Sequence, residues 1–255
     1  MISVARPRLP HPAIVAAIAT AWLLAVAAEV SGRGAALHHD ALIEGGLPLW
    51  AALGLFLIAW QSMIAAMMLP SSLPFIRLFD RLAPPAARPR LALLGGYAAV
   101  WTGFGALAFL GDLGIHRSVD AWPWLDAHSF LIAGGTLVLA GGFQFSDLKD
   151  RCLSECRHPA AYMLRHYRRG TAEAFALGRG HGLFCLGCCW ALMLVGFAAG
   201  VANLAWMAVL TAIMVAEKTS PRGDRLVAPV GVFLLALGTL VLLQPSWMPP
   251  LFASH

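Results

Sequence analysis

Charged residues are scarce in this chain of 255 residues, because Asp, Glu, Lys and Arg together make up only 12% of it. The sequence also lacks a glycine-rich phosphate-binding loop, and no segment has the composition of a soluble domain. These absences argue against an ATP-driven pump and against a water-soluble enzyme. Instead, 59% of the residues are hydrophobic and the mean hydropathy is +0.72, values typical of a polytopic membrane protein.

Seven apolar runs reach, or nearly reach, the length that crosses a hydrocarbon layer of ~30 Å. They predict an all-α fold, a polytopic transmembrane helix bundle of about seven spans that forms a single integral membrane domain over residues 1–255. The middles of these runs contain no Asp, Glu, Lys, Arg or His, so we find no relay for proton-coupled or ion-coupled transport. The predicted spans are 13–30, 48–69, 91–110, 129–145, 183–200, 204–216 and 226–243.

The distribution of Lys and Arg predicts the orientation of the bundle. Of the 18 basic residues, all but Arg33 and Arg117 fall in the N-terminal segment or in the second, fourth and sixth connections. Because basic residues favour the cytoplasmic side, we expect the N-terminus in the cytoplasm and the C-terminus outside. The net charge of +5 is thus a topology signal whose partner is the lipid bilayer, and nucleic acid is not an expected partner.

The fourth connection, residues 146–182, is predicted to be a cytoplasmic interfacial loop with short helices inside it. Ser146 can cap a first helix that carries Cys152 and Cys156, and Pro159 can start a second. Such a loop would hold the first pair of thiols against the membrane surface. Four glycines are expected to interrupt helical structure in the rest of the loop, namely Gly170, Gly178, Gly180 and Gly182.

The fifth predicted span starts with one imidazole and three thiols. In a helix His181, Cys185 and Cys189 lie one above the next, with Cys188 beside them. Thiols on the cytoplasmic side stay reduced, so they argue against structural disulfides and for metal binding or redox chemistry. Since this end of the span lies on the same side as the fourth connection, we expect both thiol clusters to meet in one site.

Thiolates are soft donors, which favour copper(I), with zinc or an iron–sulfur cluster as alternatives. The competing interpretation is that cysteines are small packing residues in apolar helices. Glu217 and Lys218 are expected either to support the thiol site or to anchor a helix end at the interface. The candidate metal ligands are Cys152, Cys156, His181, Cys185, Cys188 and Cys189.

Several segments resemble a bacterial family described as predicted metal-binding integral membrane proteins of unknown function. They are Cys152-Leu-Ser-Glu-Cys156-Arg157, His181-Gly-Leu-Phe-Cys-Leu-Gly-Cys-Cys-Trp190, Asn203-Leu-Ala-Trp206-Met207, Glu217-Lys218 and Met67-Met68-Leu-Pro70. The resemblance extends over residues 66–223. It implies a multi-pass protein of the bacterial cell inner membrane with a metal role for the six candidate ligands, and it implies no reaction.

Three functions fit the sequence. The first is a non-enzymatic membrane protein that binds a soft metal at its cytoplasmic face for handling or delivery, with a membrane or cytoplasmic protein as receiver. The second is a membrane thiol–disulfide oxidoreductase that uses Cys188 with Cys189, or Cys152 with Cys156. The third is a structural or accessory subunit of a larger membrane complex. An oligomer is compatible with all three.

Overall fold

The computed structural model of the chain describes residues 11–32, 46–83, 87–198 and 204–244. Throughout these residues the regular structure is helical, which confirms the all-α prediction. In chain order the helices are α1 (Pro12–Val30), α2 (Leu49–Leu82), α3 (Ala87–Ala121), α4 (Pro123–Asp126), α5 (Phe130–Phe143), α6 (Asp147–Arg157), α7 (Pro159–His166), α8 (Thr171–Ala198), α9 (Leu204–Thr219) and α10 (Asp224–Leu243).

Five of these helices, α1, α2, α3, α8 and α10, are long and apolar enough to cross a membrane. The consecutive helices α5 and α6 pass the same test as a pair, although the chain bends by 64° between them, and they raise the number to six within the described residues. Alone, α5 has 14 residues and α9 has 16, fewer than the ~20 that a span needs. The count of seven spans and their orientation therefore stay predictions. The expected turn at 201–203 lies outside the described residues.

Helix α2 runs well beyond the predicted end of the second span at residue 69, through Pro70 to Leu82. A proline has no N–H, so Pro70 leaves the carbonyl group of Ala66 without its helical donor. The indole Nε1 of Trp22 on α1 donates to that carbonyl at 3.1 Å. The side chain of a neighbouring helix thus replaces the missing hydrogen bond, which is how a long apolar helix tolerates an internal proline.

Two short helices begin after Ser146 and at Pro159, as the sequence predicts. Ser146 caps α6, because its Oγ accepts a hydrogen bond from the backbone N–H of Lys149, and Pro159 is the first residue of α7. At Gly170 the backbone adopts a φ of 130°, which favours glycine and separates α7 from α8.

The expected interruption of the helix after Gly170 is wrong. Helix α8 begins at Thr171 and continues through the three later glycines. A Cβ atom at Gly178 would overlap the carbonyl oxygen of Leu93 on α3, so glycine is required there by the close approach of α3 and α8. The glycine pattern marks a helix–helix contact instead of a loop.

Helix α8 lies at the centre of the bundle. It packs most extensively on α3 and also contacts α5, α6 and α9, while α5 packs on α10. The larger of the two buried apolar clusters includes side chains of α2, α3, α6, α8 and α9, and Cys152, Cys185, Cys188 and Cys189 belong to it. The thiols are therefore placed where several helices converge.

Candidate metal centre

The thiols of α8 point into the core and are held by their own helix. Cys185, Cys188 and Cys189 are all buried. The Cys188 thiol donates a hydrogen bond to the backbone carbonyl of Cys185 at 3.1 Å, and the Cys189 thiol donates to the same carbonyl at 2.8 Å. One backbone acceptor thus fixes the orientation of two neighbouring thiols.

Helix α6 brings the other two thiols onto α8. The Sγ atoms of Cys156 and Cys188 lie 4.0 Å apart, although the two residues are 32 positions apart in the chain. Cys152 packs over Gly187, where a Cβ atom would come within 2.5 Å of the Cys152 Sγ. Cys156 of one predicted thiol cluster thus lies against Cys188 of the other, and the absence of a side chain at Gly187 allows the close approach.

A buried ammonium group lies among the sulfur atoms. Lys218 Nζ, from the end of α9, is 3.2 Å from Cys185 Sγ, 3.7 Å from Cys189 Sγ and 3.8 Å from Met68 Sδ. It is also 3.4 Å from Ser71 Oγ on α2. None of these partners is a carboxylate, so the charge of Lys218 faces soft donors. Of the two expected roles for Lys218, direct contact with the thiols is the one observed.

His181 is buried, and among the described residues no hydrogen bond joins its ring to a sulfur atom. Its ring stacks on Phe75 with centroids 3.9 Å apart, and its Nε2 lies 3.3 Å from Ser72 Oγ. Ser72 donates to the Tyr97 hydroxyl at 3.4 Å, and that hydroxyl is 3.1 Å from Cys185 Sγ. Hydrogen bonds therefore connect His181 to Cys185 through the hydroxyl groups of Ser72 and Tyr97, two residues that the sequence did not single out. Tyr97 has one possible signal in the sequence, because it is a rare polar aromatic within an apolar run.

A buried ion pair connects the thiol-bearing helix α6 to α9. Lys149 Nζ donates to Glu217 Oε2 at 2.7 Å, and both side chains are almost fully buried. Arg157, at the end of α6, donates to the backbone carbonyl of Glu217 at 2.5 Å. Both residues count among the basic residues that predict the orientation, and no local pattern in the sequence shows that a loop lysine will be buried.

Both thiols of α6 have a raised pKa. Helix α6 is not one of the five long apolar helices. The hydrogen bond to Cys188, together with burial, raises the pKa of the Cys156 thiol well above its usual value. Burial also raises the pKa of Cys152. Both groups are therefore thiols at neutral pH, and a metal ion that bound them would displace protons.

The donor set fits a soft ion of low coordination number better than a four-ligand site. Within 11–32, 46–83, 87–198 and 204–244, no three His, Cys, Asp or Glu side chains are grouped so that they could hold a metal ion. Metal–thiolate bonds are about 2.3 Å long, so one ion can bridge two sulfur atoms up to about 4.6 Å apart. The separation of 4.0 Å between Cys156 and Cys188 lies within that limit. Cys185 and Cys189 form a second sulfur group around Lys218.

A comparison with protein-family models gives one match, over residues 57–241, to a family described as "PpoB2: Copper chaperone". The matched segment contains every residue of the thiol cluster and its charged neighbours. Neither the curated proteins nor the solved structures include a match to the chain.

Proposed function

The chain belongs to the PpoB2 copper chaperone family, and from that premise we propose that it is a multi-pass inner-membrane protein that binds copper(I) through cytoplasmic-face thiols and delivers it to a partner protein. Copper is the cargo in this proposal, and the chain carries out no chemical conversion. The proposed ligand set is the one expected from the sequence: Cys152, Cys156, His181, Cys185, Cys188 and Cys189.

The observation that carries the proposal is the convergence of soft donors from three helices. Cys156 of α6 faces Cys188 of α8, and the thioether of Met68 on α2 lies 3.8 Å from the Cys189 thiol. Thiolates and thioethers select copper(I) over harder cations, and two or three of them suffice for it. The family match and the buried sulfur-rich core therefore both support copper(I) as the cargo.

Differences in exposure among the thiols suggest a direction of transfer. Cys156 is half-buried, whereas the three cysteines of α8 are nearly inaccessible to solvent. A partner protein could therefore reach Cys156 first and exchange ligands there, one thiolate at a time. We infer that Cys156 receives or releases copper and that Cys185, Cys188 and Cys189 retain it.

Membrane location rests on the five to six long apolar helices, and the cytoplasmic position of the thiols rests on the distribution of basic residues. The single membrane domain over residues 1–255 and the cytoplasmic segment 146–182 belong to the same proposal.

Elemental analysis of the purified protein tests the proposal. After loading with copper(I) under reducing conditions, we expect bound copper in the wild-type protein and loss of most of it in the double variant Cys156→Ser, Cys188→Ser. Met163→Leu is the matched control, because it removes a sulfur atom that is equally buried but belongs to the other apolar cluster. Copper that survives the double substitution at wild-type stoichiometry would contradict the assignment.

A second candidate is a membrane thiol–disulfide oxidoreductase, and the 4.0 Å separation between Cys156 and Cys188 favours it over a purely structural subunit. The facing pair differs from both pairs expected from the sequence. In this version the two thiols form a disulfide while a disulfide of a partner protein takes up the two electrons and two protons. Thiol counts that stay constant between reducing and oxidising glutathione buffers would eliminate it.

A further inference from the structure

A groove lined by arginines lies between the C-terminal part of α2 and the junction of α6 and α7. Its volume is about 550 Å³. The side chains of Arg77, Arg81 and Arg157 line it together with His158, and its remaining walls are apolar, with Pro74 and Leu78 on the α2 side. The groove does not include the thiols, so it is a separate site.

Arg157 has an acidic partner, Asp224, at 3.4 Å, so within the described part of the chain two of the three arginines contribute an unpaired charge to the groove. No Asp or Glu lines it, and Arg77 and Arg81, one turn apart on α2, form no ion pair with any residue that the structure describes. The nearest acid on α2, Asp80, pairs with Arg90 at 2.7 Å. Adjacent guanidinium groups that face one cavity without a carboxylate favour the binding of an anion.

Exposed leucines near the groove indicate that the anion belongs to a lipid surface. Leu82, one residue beyond Arg81, is exposed, and Leu164 on α7 is 88% exposed. Large apolar side chains beside arginines are typical of the boundary between acyl chains and headgroups. An anion that reaches the groove at this level would arrive with a lipid.

We propose that this groove binds the phosphate headgroup of an anionic phospholipid of the cytoplasmic leaflet. Arg77 and Arg81 contact the phosphate, and Pro74 and Leu78 lie along the start of an acyl chain. Arg157 connects this site to the rest of the molecule, since it follows Cys156 directly and also holds the end of α9. A bound lipid therefore braces α2 against α6. The proposal requires a membrane location but not copper binding.

Native mass spectrometry of the full chain, with phosphatidylglycerol and phosphatidylcholine as probes, tests this assignment. We expect phosphatidylglycerol to bind more tightly than phosphatidylcholine. A basic side chain near a membrane surface contributes about 1 kcal/mol, so Arg77→Gln with Arg81→Gln should weaken phosphatidylglycerol binding by about 30-fold. The matched control is Arg168→Gln with Arg169→Gln, which removes two exposed arginines of the same surface outside the groove and should leave binding unchanged.

Three results would overturn the proposal. The first is an equal loss of phosphatidylglycerol in both double variants, because it would mean that only the overall surface charge matters. The second is displacement of the lipid by inorganic phosphate at equal concentration, which would assign the groove to a free anion. The third is displacement by a poly-glutamate peptide at equal concentration, which would assign it to an acidic protein segment. Retention of the helical circular dichroism spectrum verifies that each variant is folded.

Discussion

At the scale of single residues, the unusual feature is Lys218. Its ammonium group lies among the sulfur atoms, which is also where a copper(I) ion would bind. It contacts the thiol of Cys185 and three other soft or hydroxyl groups, and it is buried. A buried charge without a carboxylate partner is expensive, so its presence suggests a function. We infer that Lys218 competes with bound copper and keeps the cargo exchangeable.

Replacing Lys218 tests that inference. Two unit charges 4 Å apart repel each other by about 4 kcal/mol at an effective dielectric constant of 20. Lys218→Leu, which removes the charge without adding a sulfur ligand, should therefore slow the removal of copper(I) by a chelator at least about tenfold, even after the site relaxes. Lys218→Arg, which keeps the charge, should release copper at the wild-type rate. Faster release from the leucine variant would show that Lys218 retains copper instead of expelling it.

At the scale of helices, the short helix α6 determines whether the site is complete. Its two thiols reach α8 because Lys149 and Arg157 hold α6 against α9. Helix α7 and the whole of α8 lie between α6 and α9 in the chain, and Glu217 of α9 accepts hydrogen bonds from both of these α6 residues. One carboxylate oxygen of Glu217, Oε1, has no hydrogen-bond partner among the described residues, so this carboxylate depends strongly on Lys149.

Removing one partner of the Lys149–Glu217 pair should destabilise the protein more than removing both partners. Lys149→Met leaves the Glu217 charge buried, and we expect a loss of about 3–5 kcal/mol in stability together with weaker copper binding. The double variant Lys149→Met, Glu217→Leu should recover most of that loss. Thermal unfolding in detergent measures both. Arg165→Gln, which removes an exposed pair with Glu155, is the control and should cost less than about 1 kcal/mol. Equal destabilisation in the single and double variants would contradict the expectation.

At the scale of the whole molecule, the number of helices that can cross a bilayer decides on which side the C-terminus lies. Five helices qualify alone and a sixth crossing requires the bent pair α5–α6, whereas the distribution of basic residues favours seven crossings. An odd number of crossings places the termini on opposite sides. Helix α9 is short, and its buried Glu217 and Lys218 lie at the end that meets α6.

Reporter fusions distinguish these arrangements. We predict that alkaline phosphatase fused after His255 is active outside the cytoplasm, whereas green fluorescent protein at the same position is not fluorescent. An epitope inserted between Arg169 and Gly170 should be accessible to antibody only in inside-out vesicles. A fluorescent C-terminal fusion would mean an even number of crossings, and the bent pair or α9 would then not span the membrane.

The sequence by itself determined the features that depend on composition and local spacing. Long apolar runs without charges form helices, because a helix satisfies its own backbone hydrogen bonds. Ser146 and Pro159 mark the starts of the short helices through preferences that act within a few residues. The stripe of Cys185, Cys188 and Cys189 also follows from helical geometry alone. These predictions needed no knowledge of which helices are neighbours.

Only the tertiary structure decided which groups meet. Cys156 faces Cys188, the His181 ring lies beside Ser72, and Lys218 lies among the sulfur atoms, because helices distant in the chain pack around α8. The same packing keeps helices intact where the sequence predicted their ends. Trp22 satisfies the carbonyl group that Pro70 leaves free, and glycines such as Gly178 serve contacts instead of turns. The physical reason is that hydrogen bonds and close contacts between helices can outweigh the local preferences of proline and glycine.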